Sequence, residues 1–344
     1  MAAALTRVLT RHDVAALMTP ADYLEVVTQG FIALAEGRAF APAPLHLPLA
    51  EGGCHGKGAR LELGGRTYAA LKFNANLPHN PARFALPTIQ GAILLVDGGN
   101  GRLLAVLDSI EITLRRTAAA TALAALHLAR PSSAVLALIG CGAQAQAQFD
   151  ALADVLPIAQ VHLWDTDAAQ TAALAQQLAE AAAERPARGP AAPHHKLDWV
   201  IAASLEQATR TADVIVTCTT SRSAFLGRDA VRPGTFIAAV GADSAHKSEI
   251  EPELMAASKV VVDALEQCLE VGDLHHAVHA GVMTPAQVHA DLAALASGRA
   301  HGRSDDAQIC LFDSTGVAVQ DVASAVRVYE NAERRRAGLC LSFA

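Results

Sequence analysis

The sequence predicts an α/β protein with two domains: a doubly wound, Rossmann-type parallel sheet, and an α+β domain built from the N-terminal part and the C-terminal helix. Three observations support this prediction. A glycine-rich turn follows an apolar strand mid-chain, strands and helices alternate after it, and strands that pair as hairpins precede it. At 344 residues the chain is also too long for one small core. We place one domain at residues 1–115 with 316–344, and the other at residues 116–315.

The first hundred residues are predicted to form helices followed by paired strands. Helical periodicity runs from about Leu9 to Glu36, with Thr19-Pro20-Ala21-Asp22 as the start of a second helix and Gly37 as its end. A proline-rich stretch comes next, and strand-like segments follow it. These segments are Ala59–Leu63, Tyr68–Phe73, Ile89–Asp97 and Leu103–Leu107. The last two join through a glycine-rich turn. We therefore expect an antiparallel sheet with leading helices.

An alanine-rich helix from Ile112 to Ala129 leads to the stretch around which the second domain is organised. There the apolar run Val135–Ile139 predicts a buried strand, and the motif G-x-G-x-x-A follows from Gly140 to Ala145. The first glycine of such a motif makes the tight turn, and the second lets a pyrophosphate approach the backbone. The free N–H groups of the helix that begins at Ala143 would bind that phosphate.

An acidic residue completes this pattern. Asp165 ends the next apolar strand, where dinucleotide sites place the carboxylate that binds the adenosine ribose. Glycine turns also occur as bare connections, but strand, helix and acid together favour a dinucleotide site. The predicted cofactor-binding residues are Gly140, Gly142, Ala143, Gln144 and Asp165, with Thr121 from the preceding helix. We expect NAD, with NADP possible, because no arginine follows Asp165 in WDTDAAQ to bind a 2′-phosphate.

Strands and helices alternate after the glycine turn, which predicts a parallel sheet. The strand-like segments are Val161–Trp164, Trp199–Ala202, Val214–Thr217, Phe236–Val240 and Val260–Asp263. A Pro/Ala/Gly-rich stretch from Glu184 to His195 predicts a flexible surface insert. We expect the tail to contain a helix that returns to the first domain. Its apolar face comprises Val319, Val322, Val326 and Tyr329.

Composition argues against several classes of protein. The net charge is −7 with both signs distributed throughout, so no basic face is offered to nucleic acid. No apolar run reaches membrane-spanning length, and the N-terminal stretch lacks the apolar core of a signal peptide, so we expect a cytoplasmic protein. The six cysteines lie far apart and form no C-x-x-C pair, which fits reduced thiols better than disulfides or a zinc site.

Segments on both sides of the glycine turn complete a recognisable pattern. They are LKFNANLP and LPTIQGAILLVD before it, DSIEITLRRTAAATALAALHLARP leading into it, and VGADSAHKSEIEPEL and FDSTGVAVQD beyond it. In this order they span most of the chain and resemble the ornithine cyclodeaminase/mu-crystallin family. The resemblance implies a homodimeric enzyme whose α-imino and α-amino acid chemistry uses a nicotinamide cofactor. It also implies that residues 1–115 with 316–344 bind the substrate and form the dimer.

The resemblance implies roles for individual residues. Lys72 in LKFNAN matches a catalytic lysine that holds the substrate carboxylate, and Arg116 in LRRTAA matches its arginine partner. Asp243 in VGAD matches the catalytic acid near the reacting nitrogen, and Thr88 in LPTIQG matches a threonine that lines the pocket. Charge chemistry agrees, because an α-carboxylate needs a cation and an arginine can bind it bidentately. Two ordinary interpretations stay open: Asp243 as a helix cap, and one of Arg115 and Arg116 as helix surface.

One departure concerns a carboxylate-binding arginine that many family members carry in the proline-rich segment after the first helices. In this chain that segment reads Ala41-Pro42-Ala43-Pro44-Leu45-His46, without an arginine. Either fewer charges hold the carboxylate, or His55, Lys57 or Arg60 supplies one from the next strand.

Two further groups of residues are weaker candidates for a site. His275, His276 and His279 have the helical spacing of a metal-binding face, but no acid or cysteine at ligand spacing accompanies them and the spacing also suits an exposed helix. We therefore predict no metal. Cys141 lies inside the glycine turn, and a nucleophilic role would need a base that the sequence does not supply.

Together these inferences predict an NAD(P)(H)-dependent oxidoreductase that reduces a small α-imino acid (ketimine) or oxidatively deaminates the matching amino acid. The alternative is an NAD-dependent cyclodeaminase that converts ornithine or lysine to proline or pipecolate with release of ammonia. A non-catalytic binding protein of mu-crystallin type is a third possibility, against which the joint presence of Lys72, Arg116 and Asp243 argues. We expect a homodimer, because strands between Ala59 and Leu107 present an apolar sheet that two leading helices are too few to cover. The substrate side chain is left open.

Overall fold

A computed structural model describes residues 5–184 and 197–343 of the chain. The insert predicted between Glu184 and His195 lies outside the described residues, except for Glu184 at the end of a helix. The chain forms two compact units. Unit 1 comprises Met1–Arg116 and Val317–Ala344, and unit 2 comprises Thr117–Gly316.

Strands and helices are numbered in chain order. The strands are β1 Leu5–Leu9, β2 Ala39–Phe40, β3 Leu45–Leu49, β4 Gly52–Leu63, β5 Arg66–Asn76, β6 Ile89–Asp97, β7 Leu103–Asp108, β8 Val135–Ile139, β9 Gln160–Trp164, β10 Asp198–Ile201, β11 Val214–Thr217, β12 Phe236–Ala239, β13 Lys259–Val262, β14 Ala290–Asp291, β15 Cys310–Asp313 and β16 Leu339–Ser342. The α-helices are α1 Arg11–Leu17, α2 Pro20–Ala35, α3 Asn80–Phe84, α4 Ser109–Leu128, α5 Ala143–Val155, α6 Ala168–Glu184, α7 Leu205–Thr209, α8 Pro252–Ala256, α9 Leu265–Cys268, α10 Asp273–His279, α11 Leu292–Ala296 and α12 Ala318–Arg335. Short 3-10 turns cover Arg228–Ala230 and Pro285–Gln287.

Unit 1 contains an eight-stranded sheet in the order β16-β1-β7-β6-β5-β4-β2, with β3 also paired to β4. The hairpins from β4 to β7 are antiparallel, as predicted, but β1 runs parallel to β7. The expectation of a purely antiparallel sheet is therefore wrong, because the sheet is mixed. Neither β1 nor β16 was predicted, since each pairs with residues far away in the chain and no local turn precedes the pairing.

The helices of unit 1 begin and pack for reasons that can be read locally. Thr19 caps α2, accepting from Asp22 N while the Asp22 carboxylate accepts from Thr19 N, and proline follows at the first helical position. The helix α12 packs against α2 and against β4 and β5. Its predicted apolar face is confirmed, because Val319, Val322 and Val326 are fully buried and Tyr329 nearly so. Burying each such side chain stabilises the unit by about 1.5–3 kcal/mol.

Unit 2 contains an eight-stranded parallel sheet in the order β10-β9-β8-β11-β12-β15-β13-β14. The order runs outward in both directions from β8, which is the arrangement of a doubly wound dinucleotide-binding sheet. The predicted fold class is confirmed. The strand β15 was not predicted, because its short apolar run is inserted between β12 and β13 only by the fold. In a parallel sheet of this kind ligands bind beyond the carboxyl ends of the strands.

Across the described residues, every helix is too short or too polar to cross a lipid bilayer.

Candidate active site

Lys72 lies on β5 and projects its side chain toward α12. The side chain is 6% exposed, and Nζ lies 2.9 Å from Oδ1 and 2.8 Å from Oδ2 of Asp321. Nζ also donates to the Thr113 hydroxyl at 3.3 Å. A buried ammonium group without a counter-ion would be very costly, so the contact with Asp321 explains how Lys72 can lie inside the unit.

Arg116 reaches the same carboxylate from α4. Its Nε donates to Asp321 Oδ1 at 2.9 Å, and its Nη1 donates to Gln320 Oε1 at 2.6 Å. The neighbouring Arg115 binds Glu111 one turn earlier in the helix, with a side chain that is 31% exposed. Of the two adjacent arginines, Arg116 is therefore the one that shares a counter-ion with Lys72.

Asp321 is the site residue that the sequence reasoning missed. It lies in the first turn of α12 with a side chain that is 2% exposed. The available signal was a single charged residue within the mostly apolar stretch GVAVQDVASAV, because a carboxylate in such a place is buried and needs a cation. Only the fold identifies the cations as Lys72 and Arg116. We call these three residues the buried triad.

The buried triad shifts the proton affinities of its members. Burial lowers the pKa of Lys72 to about 7, although the Asp321 carboxylate opposes that shift. Burial works against the charge on Asp321, but Arg116 and Lys72 outweigh it and hold the pKa of Asp321 below its ordinary value. Lys72 can thus gain or lose a proton near neutral pH. While Lys72 is protonated, the triad carries two positive charges and one negative charge, which suits it to an anion.

The glycine turn lies between β8 and α5, as predicted. Gly140 has a φ of 96°, and a Cβ at that position would lie 2.9 Å from the Cys218 carbonyl oxygen, so the turn requires glycine. Gly142 caps α5, and a Cβ there would meet no atom within 4 Å. The backbone in front of Ala143 and Gln144 is therefore open to a ligand, and the first N–H groups of the helix favour an anion there.

Asp165 follows β9 directly and holds the glycine turn in place. Its Oδ2 accepts from Cys141 N at 2.8 Å, and its Oδ1 accepts from Asp167 N at 2.9 Å. Each carboxylate oxygen has two lone pairs, so these bonds leave acceptor capacity for a ribose hydroxyl. The carboxylate can therefore serve both the turn and a nucleoside.

The two predicted threonines have different surroundings. Thr121 is fully buried on α4, and its hydroxyl donates to the Thr117 carbonyl oxygen one turn earlier, at 3.4 Å. Thr88 is half-buried immediately before β6, and its carbonyl oxygen accepts from Leu77 N at 2.8 Å. The roles assigned to both residues stay predictions.

Asp243 belongs to unit 2 and lies just beyond the carboxyl end of β12, the edge at which such sheets bind ligands. Its side chain is 49% exposed, and Oδ1 accepts from Lys247 Nζ at 2.7 Å. Lys247 was not predicted, because no helix or strand covers residues 243–247 to relate the two side chains by a regular spacing. The exposed carboxylate, rather than a helix cap, is what Asp243 presents.

A fully buried acid fixes the loop that carries Asp243. Glu249 Oε2 accepts from Gly241 N at 2.8 Å and from the Thr217 hydroxyl at 2.7 Å, while Oε1 accepts from Thr219 N. Burial, reinforced by the nearby Asp273, raises the pKa of Glu249 to about 7. The sequence reasoning did not identify these acids, because their partners are backbone groups from separate loops.

Asp273, at the start of α10, holds the backbone of Glu249 in turn. Its Oδ1 accepts from Glu249 N at 2.7 Å and from Ile250 N at 3.0 Å, and burial raises its pKa to about 6. Two buried carboxylates of like charge therefore stand close together beneath the loop of Asp243. Their mutual repulsion favours a proton on one of them near neutral pH.

The remaining candidates of the sequence bind within the protein. His275 contacts the Leu269 carbonyl oxygen at 3.0 Å, and His276 contacts the Lys247 carbonyl oxygen at 2.8 Å. Among the residues that the structure describes, no three His, Cys, Asp or Glu side chains are arranged to hold a metal ion. Cys141 is buried, and burial raises the pKa of its thiol, which disfavours the nucleophilic thiolate.

The three candidates for the missing cation occupy different faces of β4. In the antiparallel ladder Lys57 pairs with Lys72, His55 with Asn74, and Arg60 with Ala69. Because side chains alternate along a strand, Lys57 and His55 share the face of Lys72, whereas Arg60 lies on the opposite face. There Arg60 forms an exposed ion pair with Glu62. Arg60 is therefore excluded as a neighbour of Lys72.

Comparison with known proteins gives a consistent match. The model of the ornithine cyclodeaminase/mu-crystallin family matches residues 5–336. The alanine dehydrogenase of Archaeoglobus fulgidus is 35% identical over 340 residues, which cover 98% of this chain and 98% of that protein.

Solved structures agree with this match. An archaeal alanine dehydrogenase dimer with bound NAD superposes with a TM-score of 0.90 at 34% identity, covering 99% of this chain and all of that one. The Δ1-pyrroline-2-carboxylate reductase of Thermococcus litoralis, in complex with NADH and L-proline, gives 0.88 at 27% identity, covering 97% and 99%. A lysine cyclodeaminase studied for its recognition of L-lysine, L-ornithine and L-2,4-diaminobutyric acid gives 0.82 at 30% identity, covering 99% and 96%.

Proposed function

The chain belongs to the ornithine cyclodeaminase/mu-crystallin family, and from that membership we propose that it is an NAD(P)(H)-dependent oxidoreductase of small α-imino and α-amino acids. It reduces an imino acid, or oxidises the matching amino acid, at the α-carbon. This proposal is supported by relatives that are a dehydrogenase of an amino acid and a reductase of an imino acid.

The buried triad is the observation that carries the proposal. Two cations converge on one face of unit 1 around a single carboxylate, with Lys72 and Arg116 each 2.9 Å from Asp321 Oδ1. Asp321 offsets one positive charge and holds both side chains in place. The remaining positive charge binds the substrate α-carboxylate, and fixing the substrate in this way can lower the barrier by several kcal/mol.

The glycine turn fits a dinucleotide. Gly142 leaves room for a pyrophosphate at the N-terminus of α5, and Asp165 can accept from a ribose hydroxyl. When bound, the nicotinamide exchanges a hydride with the substrate α-carbon. We assign Gly140, Ala143, Gln144 and Thr121 to the same site, and Thr88 to the lining of the substrate pocket.

Proton transfer falls to two residues in this proposal. Asp243 presents an exposed carboxylate that holds or moves a proton at the substrate nitrogen, while the contact with Lys247 orients that carboxylate. Lys72, with a pKa of about 7, both binds the carboxylate and holds a proton that it can release near neutral pH.

The test is an absorbance assay with NADH and a panel of cyclic imines, and of α-keto acids with ammonia. Oxidation of NADH that requires one of these substrates supports the proposal. If no substrate of the panel leads to oxidation of NADH, the proposal is contradicted. The similarity to lysine cyclodeaminase supports a second candidate function, conversion of a diamino acid to a cyclic amino acid. That reaction would release ammonia from L-ornithine or L-lysine with no net change in NADH.

We infer a preference for NAD(H), with NADP(H) as the alternative. Asp165 stands at the ribose position, and a carboxylate repels a 2′-phosphate. Steady-state kinetics with both cofactors test this inference, and equal or higher catalytic efficiency with NADPH contradicts it.

We further propose a homodimer formed through the outer face of the unit 1 sheet. Large apolar side chains on this face are each 40% to 53% exposed. They are Leu45, Leu47 and Leu49 on β3, Leu71 and Phe73 on β5, and Leu94 on β6. A contiguous apolar patch of this kind marks an interface, and the dimer of the archaeal alanine dehydrogenase supports a second copy as its partner. A monomer mass by light scattering at micromolar concentration would refute the proposal.

A cytoplasmic location is the last part of this proposal. All six cysteines are unpaired thiols. Thiols persist in a reducing compartment, whereas disulfides form outside it.

A further inference from the structure

The face of the sheet that carries Lys72 also carries a second lysine. Lys57 on β4 is the direct register partner of Lys72 on β5. Directly paired residues of antiparallel strands have Cβ atoms about 4.5–5.5 Å apart, with side chains on the same face. Two lysines in this position repel each other, and such a pair costs stability unless an anion lies nearby.

The charge of Lys57 reaches the buried triad. It acts with burial and with Arg116 to lower the pKa of Lys72, and it helps to lower the pKa of Asp321. Lys57 itself is half-buried. A substrate bound to the triad through its carboxylate therefore lies within the electrostatic field of Lys57.

On this face, neither β4 nor β5 carries an aspartate or glutamate that could bind the cationic side chain of a substrate. Beyond Lys57 the next paired residues are His55 and Asn74, and His55 Nδ1 lies 3.3 Å from His46 Nδ1 on β3. Asp321 is already engaged by two cations. The chemistry of this face suits neutral or acidic groups, and it disfavours an ammonium group.

We propose that Lys57 is a substrate-binding residue that sets the charge of the side chain which the site accepts. It replaces the arginine that is missing from residues 41–46, favours imino acids with a neutral or acidic side chain, and repels the second ammonium group of a diamino acid. This inference rests on the proposed function, in which Lys72 and Arg116 hold the α-carboxylate. It also argues for the reductase over the cyclodeaminase.

The experiment measures binding of L-aspartate, L-alanine and L-ornithine by calorimetry to the full chain saturated with NADH, with which an amino acid cannot react. Wild-type protein should bind L-ornithine most weakly. Unit charges about 6–8 Å apart at an effective dielectric constant near 20 alter binding by roughly 10- to 100-fold after solvent screening. Lys57→Met should narrow the difference between L-alanine and L-ornithine by that factor, Lys57→Glu should reverse the order, and Lys57→Arg should retain it.

Arg60→Met is the matched control, because Arg60 lies on the same strand but on the opposite face. It should leave all three affinities unchanged, and NADH affinity should be unchanged in every variant. An unaltered ratio of L-alanine to L-ornithine affinity in Lys57→Met overturns this inference alone, as does an equal change in Arg60→Met. Wild-type protein that binds none of the three acids and oxidises no NADH overturns the proposed function together with it.

Discussion

Replacing Asp321 by asparagine should destabilise the protein and weaken substrate binding, because the change removes one charge while preserving shape. The asparagine oxygen can still accept from Arg116 Nε, which lies 2.9 Å from Oδ1 in the native chain. The change removes the negative charge that balances Lys72 and Arg116, whose side chains are 6% and 5% exposed. Removing one partner of a buried ion pair costs about 3–5 kcal/mol, and we expect a loss in that range below about pH 7, where Lys72 is charged.

The pH dependence follows from the direction of each pKa shift. In the native chain Lys72 has a pKa of about 7 against an ordinary value of 10.5. Between these values the unfolded state binds more protons, so the contribution of Lys72 to stability rises as pH rises through this window. Without Asp321 the pKa of Lys72 falls further, so the rise begins at a lower pH. The lowered pKa of Asp321 contributes stability that is lost only in acid, below its ordinary value of 3.8.

The assay has two parts. Urea unfolding at about pH 6 and about pH 9 should give a larger loss for Asp321→Asn at the lower pH, since Lys72 is charged there. The pH profile of kcat/KM should move to lower pH, because the pKa of Lys72 falls without Asp321. Above that pKa, each unit of the fall lowers the protonated fraction of Lys72 roughly tenfold. Glu333→Gln is the matched control, because Glu333 lies on the same helix and pairs with Arg7 but is 49% exposed. It should cost about 1 kcal/mol or less.

A different outcome would refute this reasoning. If Asp321→Asn lost no more stability at about pH 6 than Glu333→Gln does, the triad would not be a buried charge cluster of the kind described. An unchanged pH profile would show that Asp321 does not control the proton on Lys72.

Three further predictions concern other parts of the molecule. Lys72→Ala should lower catalytic efficiency by roughly 30- to 3,000-fold while leaving NADH affinity unchanged, because the charge that holds the substrate carboxylate is lost; near-native efficiency would rule the assignment out. Gly142→Val should keep the native unfolding midpoint but bind NADH at least about tenfold more weakly, since the added side chain fills only open space in front of α5. Gly140→Ala, in contrast, should cost about 2 kcal/mol or more of stability. If Gly142→Val bound NADH as tightly as the native protein does, the assignment of the dinucleotide site would be contradicted. Asp273→Asn should flatten the pH dependence of the free energy of unfolding. Burial raises the pKa of Asp273 to about 6, so the contribution of Asp273 to stability falls as pH rises from the ordinary value of 3.8 through 6. If urea unfolding gave the variant and the native protein the same pH dependence, this prediction would be wrong.

The sequence by itself determined the elements whose signals are local. The glycine turn, the capped start of α2 at Thr19, the hairpin ending in β7 and the apolar face of α12 each depend on residues within one turn or one strand pair. The choice of Lys72 came from a motif resemblance. For these residues the structure shows how deeply each is buried and which groups it contacts, and it leaves the predicted elements in place.

Tertiary structure decided what depends on residues distant in sequence. Asp321 meets Lys72 across 249 positions and Arg116 across 205, and no local pattern relates them. The same holds for β1 beside β7, for β15 between β12 and β13, and for Glu249, which accepts from Thr217 and Thr219 at separations of 32 and 30 positions. In each case the deciding term is the desolvation of a charge or of a backbone group, which is set by how the whole chain packs. A sequence read alone shows which residues carry charge, and only the fold shows which charges are removed from water and must therefore find one another.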